Sequence, residues 1–330
     1  MKVAVLGNGG FGTAMALTLE RAGHHVALWG HDKAYTASIA ATRENPRYLA
    51  GVTLPDAVAV TDDPAAALAG AGAVLVAVPT QHVRAVMREM APLLAGDAPV
   101  VSLAKGLEQS TGQRPSEILA EVLGNAARVY VLSGPSHAEE IAHGQPTTVV
   151  VAGEDGDRLR ALQGALQTDR FRVYRNADLL GVELCGALKN VMALAAGIAD
   201  GLGYGDNAKA AILSRGIVEM QRYGLACGAD PQTFFGLAGV GDLAVTAFSK
   251  HGRNRAFGER IGKGETLQQA LASSPKVAEG VWTAKVVDAA SKERGVEMPI
   301  ASAVARVLYE DLPPAQAVRA LMERDPKAEG

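Results

Sequence analysis

The sequence has few cysteine and aromatic residues for its length, and its charge is nearly balanced. Its 330 residues include two cysteines, and aromatic residues make up 5% of the chain. Cys185 and Cys227 show no C-x-x-C spacing and have no histidine cluster nearby. This argues against a disulfide framework and against a metal site. A reduced, cytoplasmic protein is the interpretation that fits best.

The charge and the apolar runs exclude further classes. The formal net charge is −3, and no basic tail or stripe indicates nucleic acid or an anionic membrane surface as a partner. We predict no membrane span, because no apolar run looks long enough to cross a bilayer. The first residues lack the basic start and long apolar core of a signal peptide. The length allows two domains with sizeable cores.

The first thirty residues carry the strongest local pattern, which is strand, glycine turn, helix and strand. The apolar run Lys2–Leu6 ends in the motif G-N-G-G-F-G at residues 7–12. In a dinucleotide-binding unit, Gly7 allows the tight turn, Gly9 lets the backbone approach a pyrophosphate, and Gly12 allows close packing of helix on strand. The helix N-terminus then favours the phosphate charge. A purely structural turn is the alternative.

The end of the second strand is where such folds distinguish NAD from NADP. An acidic residue there bonds the ribose 2′-hydroxyl of NAD, whereas a basic residue accommodates the 2′-phosphate of NADP. Here His31 and Lys33 flank Asp32, so the pattern favours neither cofactor. A solvated turn explains Asp32 and Lys33 equally well.

Strand-like runs alternate with helical patterns up to residue 177. The runs after the first two are Val58–Val60, Ala73–Val78, Pro99–Leu103, Arg128–Leu132, Thr147–Ala152 and Phe171–Tyr174. This alternation predicts an α/β, Rossmann-like domain over residues 1–177, with a largely parallel sheet and helices on both faces. The helical, alanine- and glycine-rich remainder predicts an all-α domain over residues 178–330. Residues 44–55, with two prolines, predict a long loop that covers something.

Two loops are expected at the carboxyl ends of the strands, where open α/β sheets bind ligands. Lys105 lies in the first loop and Ser136 in the second. A lysine in a loop is usually only solvated, but Lys105 follows an apolar strand and precedes a glycine. We therefore treat both residues as candidate ligand contacts.

Lys189 is a charged side chain deep in the apolar helical stretch 179–198, with Asn190 beside it. A buried lysine is costly unless it is paired. Asp242, near the start of a later helix, is the predicted partner, and Thr246 would lie one turn further along the same face. The alternatives are a lysine that extends to the helix surface and an aspartate that only caps its helix.

Arg253 and Asn254 stand at the start of another helical run. A guanidinium, an amide and the first N–H groups of a helix suit a phosphate. Taken alone, such a basic cluster would usually be solvated surface. Its position soon after Asp242 favours a phosphate site.

In this order and together, the motifs resemble bacterial NAD(P)-dependent sn-glycerol-3-phosphate dehydrogenases over almost the whole chain. The matching stretches are residues 7–12, 45–55, 104–108, 133–139, 183–190, 205–210, 236–243, 253–254 and 279–280. The resemblance implies reversible reduction of dihydroxyacetone phosphate to sn-glycerol 3-phosphate, with NADH or NADPH as cofactor. It also implies a cytoplasmic homodimer that supplies glycerophospholipid synthesis.

The resemblance further implies the role of each site residue. The proton-transferring lysine is Lys189, with Asp242 as its catalytic partner. Substrate contacts fall on Lys105, Gly134, Ser136, Lys189, Asp242, Gly252, Arg253 and Asn254. Cofactor contacts fall on Gly10, Phe11, His31, Tyr48, Lys105, Ala138, Arg253, Val277 and Glu279, in addition to Gly7, Gly9 and Gly12 of the turn.

Four positions depart from the family pattern. Gly10 and Gly252 stand where serine is usual, Ala247 where cysteine is often found, and His31 where arginine is common. Both glycines keep a backbone N–H group, but two side-chain hydroxyls are lost, and the cofactor preference stays open.

Two competing hypotheses remain. One is a dehydrogenase of a hydroxy acid or sugar acid with the same two-domain plan, which would need a carboxylate clamp. The other is a non-catalytic nicotinamide sensor, which has no need of a buried acid–base lysine.

Overall fold

A computed structural model describes residues 1–154, 156–249, 252–273, 278–326 and 328 of the chain. Backbone contacts divide it into two compact units. The first comprises Met1–Glu108 and Gln113–Glu183, and the second comprises Gln109–Gly112 and Leu184–Gly330. Each unit contains some of the candidate site residues.

The first unit contains one large sheet. The strands of the chain are β1 (Lys2–Leu6), β2 (His25–Trp29), β3 (Glu44–Asn45), β4 (Leu49–Thr53), β5 (Val58–Thr61), β6 (Ala73–Val76), β7 (Val100–Ser102), β8 (Val129–Ser133), β9 (Thr147–Ala152) and β10 (Phe171–Asn176). Within the described residues, the sheet order is β10-β9-β8-β7-β6-β1-β2-β5. The β8–β9 pair is antiparallel and the other neighbouring pairs are parallel, so the prediction of a largely parallel sheet is confirmed.

Helices cover both faces of this sheet. They are α1 (Gly10–Arg21), α2 (Lys33–Thr42), α3 (Pro64–Leu68), α4 (Thr80–Met90), α5 (Pro115–Leu123), α6 (Ala138–Ala142) and α7 (Gly156–Leu166). Along β1, Val3 and Val5 belong to one apolar core cluster, whereas Ala4 and Leu6 belong to another. Successive strand residues point to opposite faces. Burial of all four side chains therefore requires a layer on each side of the sheet, as predicted.

The predicted long loop at residues 44–55 is wrong, because this segment contains the antiparallel pair β3–β4. Arg43 precedes the pair with a φ of 59°. Its guanidinium donates to the carbonyl oxygens of Leu54, at 3.3 Å, and Val58, at 2.7 Å. These bonds hold the two ends of the segment together. We call residues 44–53 the hairpin.

The second unit is helical. Its helices are α8 (Leu179–Gly201), of which residues 179–183 belong to the first unit, α9 (Asp206–Ala226), α10 (Asp242–Phe248), α11 (Arg253–Gly262), α12 (Leu267–Ala272), α13 (Glu279–Glu293), α14 (Pro299–Tyr309) and α15 (Pro314–Met322). Short helical turns at Pro231–Phe235 and Leu237–Gly241 precede α10. The part of this unit that the structure describes contains no strand, which confirms the all-α prediction.

Helix α8 is the apolar centre of the second unit. It is long and apolar enough to cross a membrane, with a mean hydropathy of 1.5, so the prediction that no run reaches this length is wrong. Inside the protein, however, 89% of that window is buried. A helix that is apolar on all sides is expected in the core of a large unit as well as in a bilayer.

Glycines bring α8 and α11 into backbone contact. A Cβ on Gly197 would lie 2.0 Å from the carbonyl oxygen of Arg255, and one on Gly258 would lie 2.2 Å from that of Leu194. No larger residue fits at either position without moving a helix. This contact holds the start of α11 at a fixed distance from α8.

Candidate active site

The glycines of the first turn separate into two kinds. Gly7 has a φ of +115°, and a Cβ on Gly12 would lie 1.9 Å from the Gly7 carbonyl oxygen, so backbone conformation and packing require both glycines. Gly9 precedes α1 with a φ of −67°, which any residue adopts. Apart from its chain neighbours, no described atom lies within 4 Å of a Cβ there. This open side at a helix N-terminus fits the close approach of a dinucleotide pyrophosphate.

Four further predicted cofactor contacts lie at or near the start of α1. A Cβ on Gly10 would lie 2.8 Å from the carbonyl oxygen of Tyr48 and 3.7 Å from the Cβ of Ala138. Glycine at position 10 therefore allows the hairpin to contact α1 directly. Phe11 and Ala138 are partly buried and pack against the core of this unit, which also gives both side chains a structural role.

The residues after β2 are arranged around the start of α2. The Asp32 side chain accepts a hydrogen bond from the Tyr35 N–H at 3.0 Å, and it is therefore an N-cap. The His31 ring lies edge-on to Trp29, with the ring centroids 6.2 Å apart. On the hairpin, Arg47 approaches Asp32 at 3.5 Å. The structure thus adds a further basic residue, Arg47, to His31 and Lys33 in this region.

Lys105 joins the two predicted ligand-binding loops. Its Nζ donates to the carbonyl oxygen of Gly134 at 2.9 Å and to Ser136 Oγ at 3.2 Å. Ser136 Oγ in turn donates to the same carbonyl at 2.8 Å. Gly134 has a φ of +122°, and a Cβ there would lie 3.1 Å from the Val149 Cα. The structure therefore brings Lys105 together with two residues that lie 29 and 31 positions further along the chain.

In the second unit, Lys189 is buried and paired. Its Nζ lies 3.2 Å from Asp242 Oδ1 and donates to Thr246 Oγ1 at 2.8 Å. The side chains of Lys189 and Asp242 are 8% and 3% exposed. Thr246 Oγ1 donates to Asp242, with the carbonyl oxygen at 2.6 Å and Oδ1 at 3.3 Å. A lysine that reaches the helix surface is excluded.

Helix α10 explains how this cluster forms. Asp242 is its first residue and Thr246 lies one turn later, so both side chains face the same way. Asp242 is preceded by Gly241, which is the N-cap. Because Gly241 occupies the cap position, the Asp242 carboxylate does not serve only as a cap, and it faces Lys189. The preceding glycine segment packs closely, because a Cβ on Gly239 would lie 1.9 Å from the Phe234 carbonyl oxygen.

Asn254 is more constrained than the sequence suggests. Its Nδ2 donates to Asn190 Oδ1 at 2.9 Å, and its Oδ1 accepts from the Gly280 N–H at 3.0 Å. Asn254 therefore ties α8, α11 and α13 together, besides being a predicted phosphate contact. A Cβ on Gly280 would lie 2.6 Å from the Asn190 carbonyl oxygen, which explains the glycine there.

The start of α11 has the properties of an anion site. Arg253 is its first residue and is exposed. Gly252 is the N-cap, and a Cβ there would lie 2.7 Å from the Thr246 carbonyl oxygen, which accounts for glycine instead of serine. Arg255, by contrast, donates to Asp200 and Glu259 at 2.8 and 2.9 Å. Its charge is balanced within the protein.

Of the two remaining predicted contacts, the structure describes one. Glu279 is the first residue of this helix and is half-buried. Val277 lies outside the residues that the structure describes. Over the described ranges, no group of three or more His, Cys, Asp or Glu side chains is arranged to hold a metal ion.

Sequence reasoning missed the buried polar groups that support the site. Asn45, 1% exposed, donates to the Asn8 carbonyl oxygen at 2.8 Å and so fastens the hairpin to the glycine turn. Glu183 accepts from the Ser116 N–H and from Arg114, both at 2.8 Å, and burial raises the pKa of its carboxyl group while Arg114 opposes this. The partners lie too far apart in sequence for a local pattern to show them.

Comparisons with known proteins agree with this geometry. The model of the NAD-dependent glycerol-3-phosphate dehydrogenase N-terminus matches residues 2–158, and that of the C-terminus matches residues 178–319. A glycerol-3-phosphate dehydrogenase [NAD(P)+] of Chlorobium phaeobacteroides is 47% identical, covering 100% of this chain and 99% of the relative. One from Geobacillus kaustophilus is 49% identical, covering 99% and 96%.

A solved structure extends the agreement to the whole fold. The crystal structure of a glycerol-3-phosphate dehydrogenase from Coxiella burnetii superimposes with a TM-score of 0.93 at 38% identity. The match covers 98% of this chain and 99% of that one. On the family models and these full-length relatives, the chain belongs to the NAD-dependent glycerol-3-phosphate dehydrogenase family.

Proposed function

We propose that the chain catalyses the reversible reduction of dihydroxyacetone phosphate to sn-glycerol 3-phosphate with NADH or NADPH. The observation that carries this proposal is the buried cluster of Lys189, Asp242 and Thr246, near an exposed arginine at a helix start. The buried cluster can deliver a proton, and the exposed Arg253 can bind a phosphate. The family membership and the names of the relatives support the same substrate and cofactor.

The chemistry needs a hydride at C2 of the ketone and a proton on its oxygen. A bound NAD(P)H supplies the hydride. Lys189, as an ammonium, stabilises the negative charge that develops on the carbonyl oxygen and transfers a proton from Nζ to it. Burial disfavours the ammonium, whereas Asp242 and Thr246 favour it. In the reverse direction the neutral amine accepts the hydroxyl proton.

The positions described above and the family resemblance support the other proposed roles. Arg253 and the first N–H groups of α11 bind the substrate phosphate, with Asn254 beside them. Gly7, Gly9, Gly10 and Gly12 form the turn that receives the pyrophosphate. The resemblance assigns substrate contacts to Lys105, Gly134 and Ser136 as well, and cofactor contacts to His31, Tyr48 and Glu279.

The direct test is oxidation of NADH and of NADPH, measured separately, by purified protein with dihydroxyacetone phosphate. Loss of the reduced nicotinamide absorbance with formation of sn-glycerol 3-phosphate is expected. If the protein binds cofactor but turns over only hydroxy acids, dihydroxyacetone phosphate is not its substrate. A protein that binds cofactor and turns over neither class would be a sensor.

We also propose a cytoplasmic homodimer that supplies glycerophospholipid synthesis. The family resemblance supports the dimer, the location and the metabolic role. The substrates of such enzymes are small phosphorylated compounds. Light scattering coupled to size-exclusion chromatography tests the dimer. A monomer at working concentrations would refute it.

A further inference from the structure

Arg47 is an exposed cation at the tip of the hairpin, beside the end of β2. In sheets of this kind, the end of the second strand is where the adenosine ribose is recognised. The Arg47 guanidinium lies 3.5 Å from Asp32 Oδ2 and 4.1 Å from the centroid of the Tyr35 ring. The Tyr35 ring covers one face of the guanidinium, and Tyr48 also hydrogen-bonds it. The side chain is nevertheless 54% exposed, and this exposed part is open to a ligand.

The backbone of Arg47 is held in place by a chain of hydrogen bonds. Its N–H donates to the Tyr35 hydroxyl at 3.0 Å, and that hydroxyl donates to Asn45 Oδ1 at 2.6 Å. Asn45 Nδ2 then donates to the Asn8 carbonyl oxygen, at 2.8 Å, inside the glycine turn. Arg47 therefore has a fixed position relative to the turn that receives the pyrophosphate.

Asp32 and Arg47 would act on a ribose substituent with opposite sign. The Asp32 carboxylate is half exposed and is fixed by its cap bond to the Tyr35 N–H. It repels a phosphate and suits a hydroxyl. An exposed ion pair such as Asp32–Arg47 contributes little, whereas a guanidinium binds a phosphate through two parallel hydrogen bonds. A phosphate can thus replace Asp32 as the partner of Arg47.

We propose that Arg47 binds the 2′-phosphate of NADPH and is the residue that determines preference for NADPH over NADH, with Asp32 opposing it. The proposal rests on the proposed function for the location of the cofactor. It adds a specificity residue that lies on the hairpin instead of on the strand end.

The test compares binding of NADPH and NADH to the full chain by fluorescence of the reduced nicotinamide. In Arg47→Ala the Kd of NADPH is expected to rise about 10- to 100-fold, and that of NADH by less than about threefold. Adenosine 2′,5′-bisphosphate should lose affinity as NADPH does, whereas adenosine 5′-monophosphate should not. Arg47→Lys should retain part of the NADPH affinity, because it keeps the charge but not the paired donors.

Two further variants sharpen the result. Arg160→Ala removes an exposed guanidinium from α7, where it pairs with Asp157, and it should leave both Kd values unchanged. Asp32→Asn keeps the cap acceptor but removes the charge, so NADPH should bind more tightly. Equal weakening of both cofactors in Arg47→Ala, or no change in either, would overturn the proposal.

These binding data are independent of catalysis. If the proposed function fails, the wild-type protein will bind NADPH without oxidising it in the presence of dihydroxyacetone phosphate. The ratio of the two Kd values in Arg47→Ala will still decide the role of Arg47. Unchanged thermal unfolding of the variant confirms that the hairpin remains folded.

Discussion

Lys189 Nζ and Thr246 Oγ1 are joined by a 2.8 Å hydrogen bond that is buried in the second unit. The Thr246 hydroxyl donates to Asp242, whose carbonyl oxygen lies at 2.6 Å and whose Oδ1 lies at 3.3 Å, and an ammonium can only donate. The threonine oxygen can therefore only accept from the lysine, and the ammonium is held between this oxygen and the Asp242 carboxylate. An ammonium held in one place is suited to act on one substrate oxygen.

Replacing Lys189 by alanine should lower kcat by roughly 100- to 10,000-fold, because a positioned general acid contributes about this much. KM should change far less, since the proposed phosphate contact is Arg253, on another helix. Steady-state kinetics with dihydroxyacetone phosphate measure both. Lys263→Ala, which removes an exposed lysine paired with Glu259, is the matched control. An effect on KM alone would contradict the catalytic role.

Removing the charge of Asp242 should change the pH dependence of reduction. Asp242→Asn keeps the size of the side chain but no longer favours the ammonium, so the decline of kcat at alkaline pH should begin at lower pH than in the wild type. Thr246→Val should move it in the same direction and Thr246→Ser should restore it. If the variants lowered kcat by the same factor at every pH, without moving the pH of the decline, these residues would only support the fold.

The two glycines Gly9 and Gly12 should respond oppositely to alanine. Gly12→Ala places a methyl group 1.9 Å from the Gly7 carbonyl oxygen, so thermal stability should fall strongly. Gly9→Ala meets no described atom within 4 Å and should unfold at the wild-type temperature while losing NAD(P)H affinity. Differential scanning fluorimetry and nucleotide titration distinguish the two. Full cofactor affinity in Gly9→Ala would contradict the pyrophosphate site.

Glu219 makes the stability of the protein depend on pH. It accepts hydrogen bonds from the N–H groups of Ile300 and Ala301 at the start of α14. Burial raises the pKa of its carboxyl group to about 7, against the opposing effect of these bonds. A raised pKa means that the folded protein holds the proton more tightly. The contribution to stability is therefore complete below about pH 4.5 and is lost as pH rises through about 7.

Glu219→Gln isolates this contribution. Between about pH 4.5 and pH 8, the free energy of unfolding of the wild type should decrease by about 3 kcal/mol relative to the variant. Chemical denaturation of both proteins at several pH values measures the difference. Glu323→Gln, at an exposed position, controls for loss of a carboxylate. A difference that does not vary with pH would contradict the assignment.

The chemically specific parts of the site could be predicted from sequence. The glycine turn follows directly from a strand and a helix around residues 7–12, and a lysine in an apolar helix demands a partner such as Asp242. Both inferences use local pattern and the cost of burying charge. The Rossmann-like sheet follows from alternation of strands and helices in the same way.

The side chains that support the site could not be predicted, because their hydrogen-bond partners are not their neighbours in sequence. The two prolines of residues 44–55 indicated a loop, whereas Arg43 closes this segment into a hairpin. Asn45 bonds a carbonyl 37 residues away. Asn254 looked like a phosphate contact alone, yet it joins Asn190 and Gly280. Tertiary hydrogen bonds of this kind leave no periodic signal.

The glycine contact between α8 and α11 sets the spacing of the two helices that carry Lys189 and Arg253. The approach of Gly197 to the Arg255 carbonyl and of Gly258 to the Leu194 carbonyl thus fixes the distance between the proposed proton donor and the proposed phosphate contact. A methyl group at either glycine would widen that separation without altering a single reacting group. The two side chains would then no longer match the span of the proposed three-carbon substrate, although neither has been replaced.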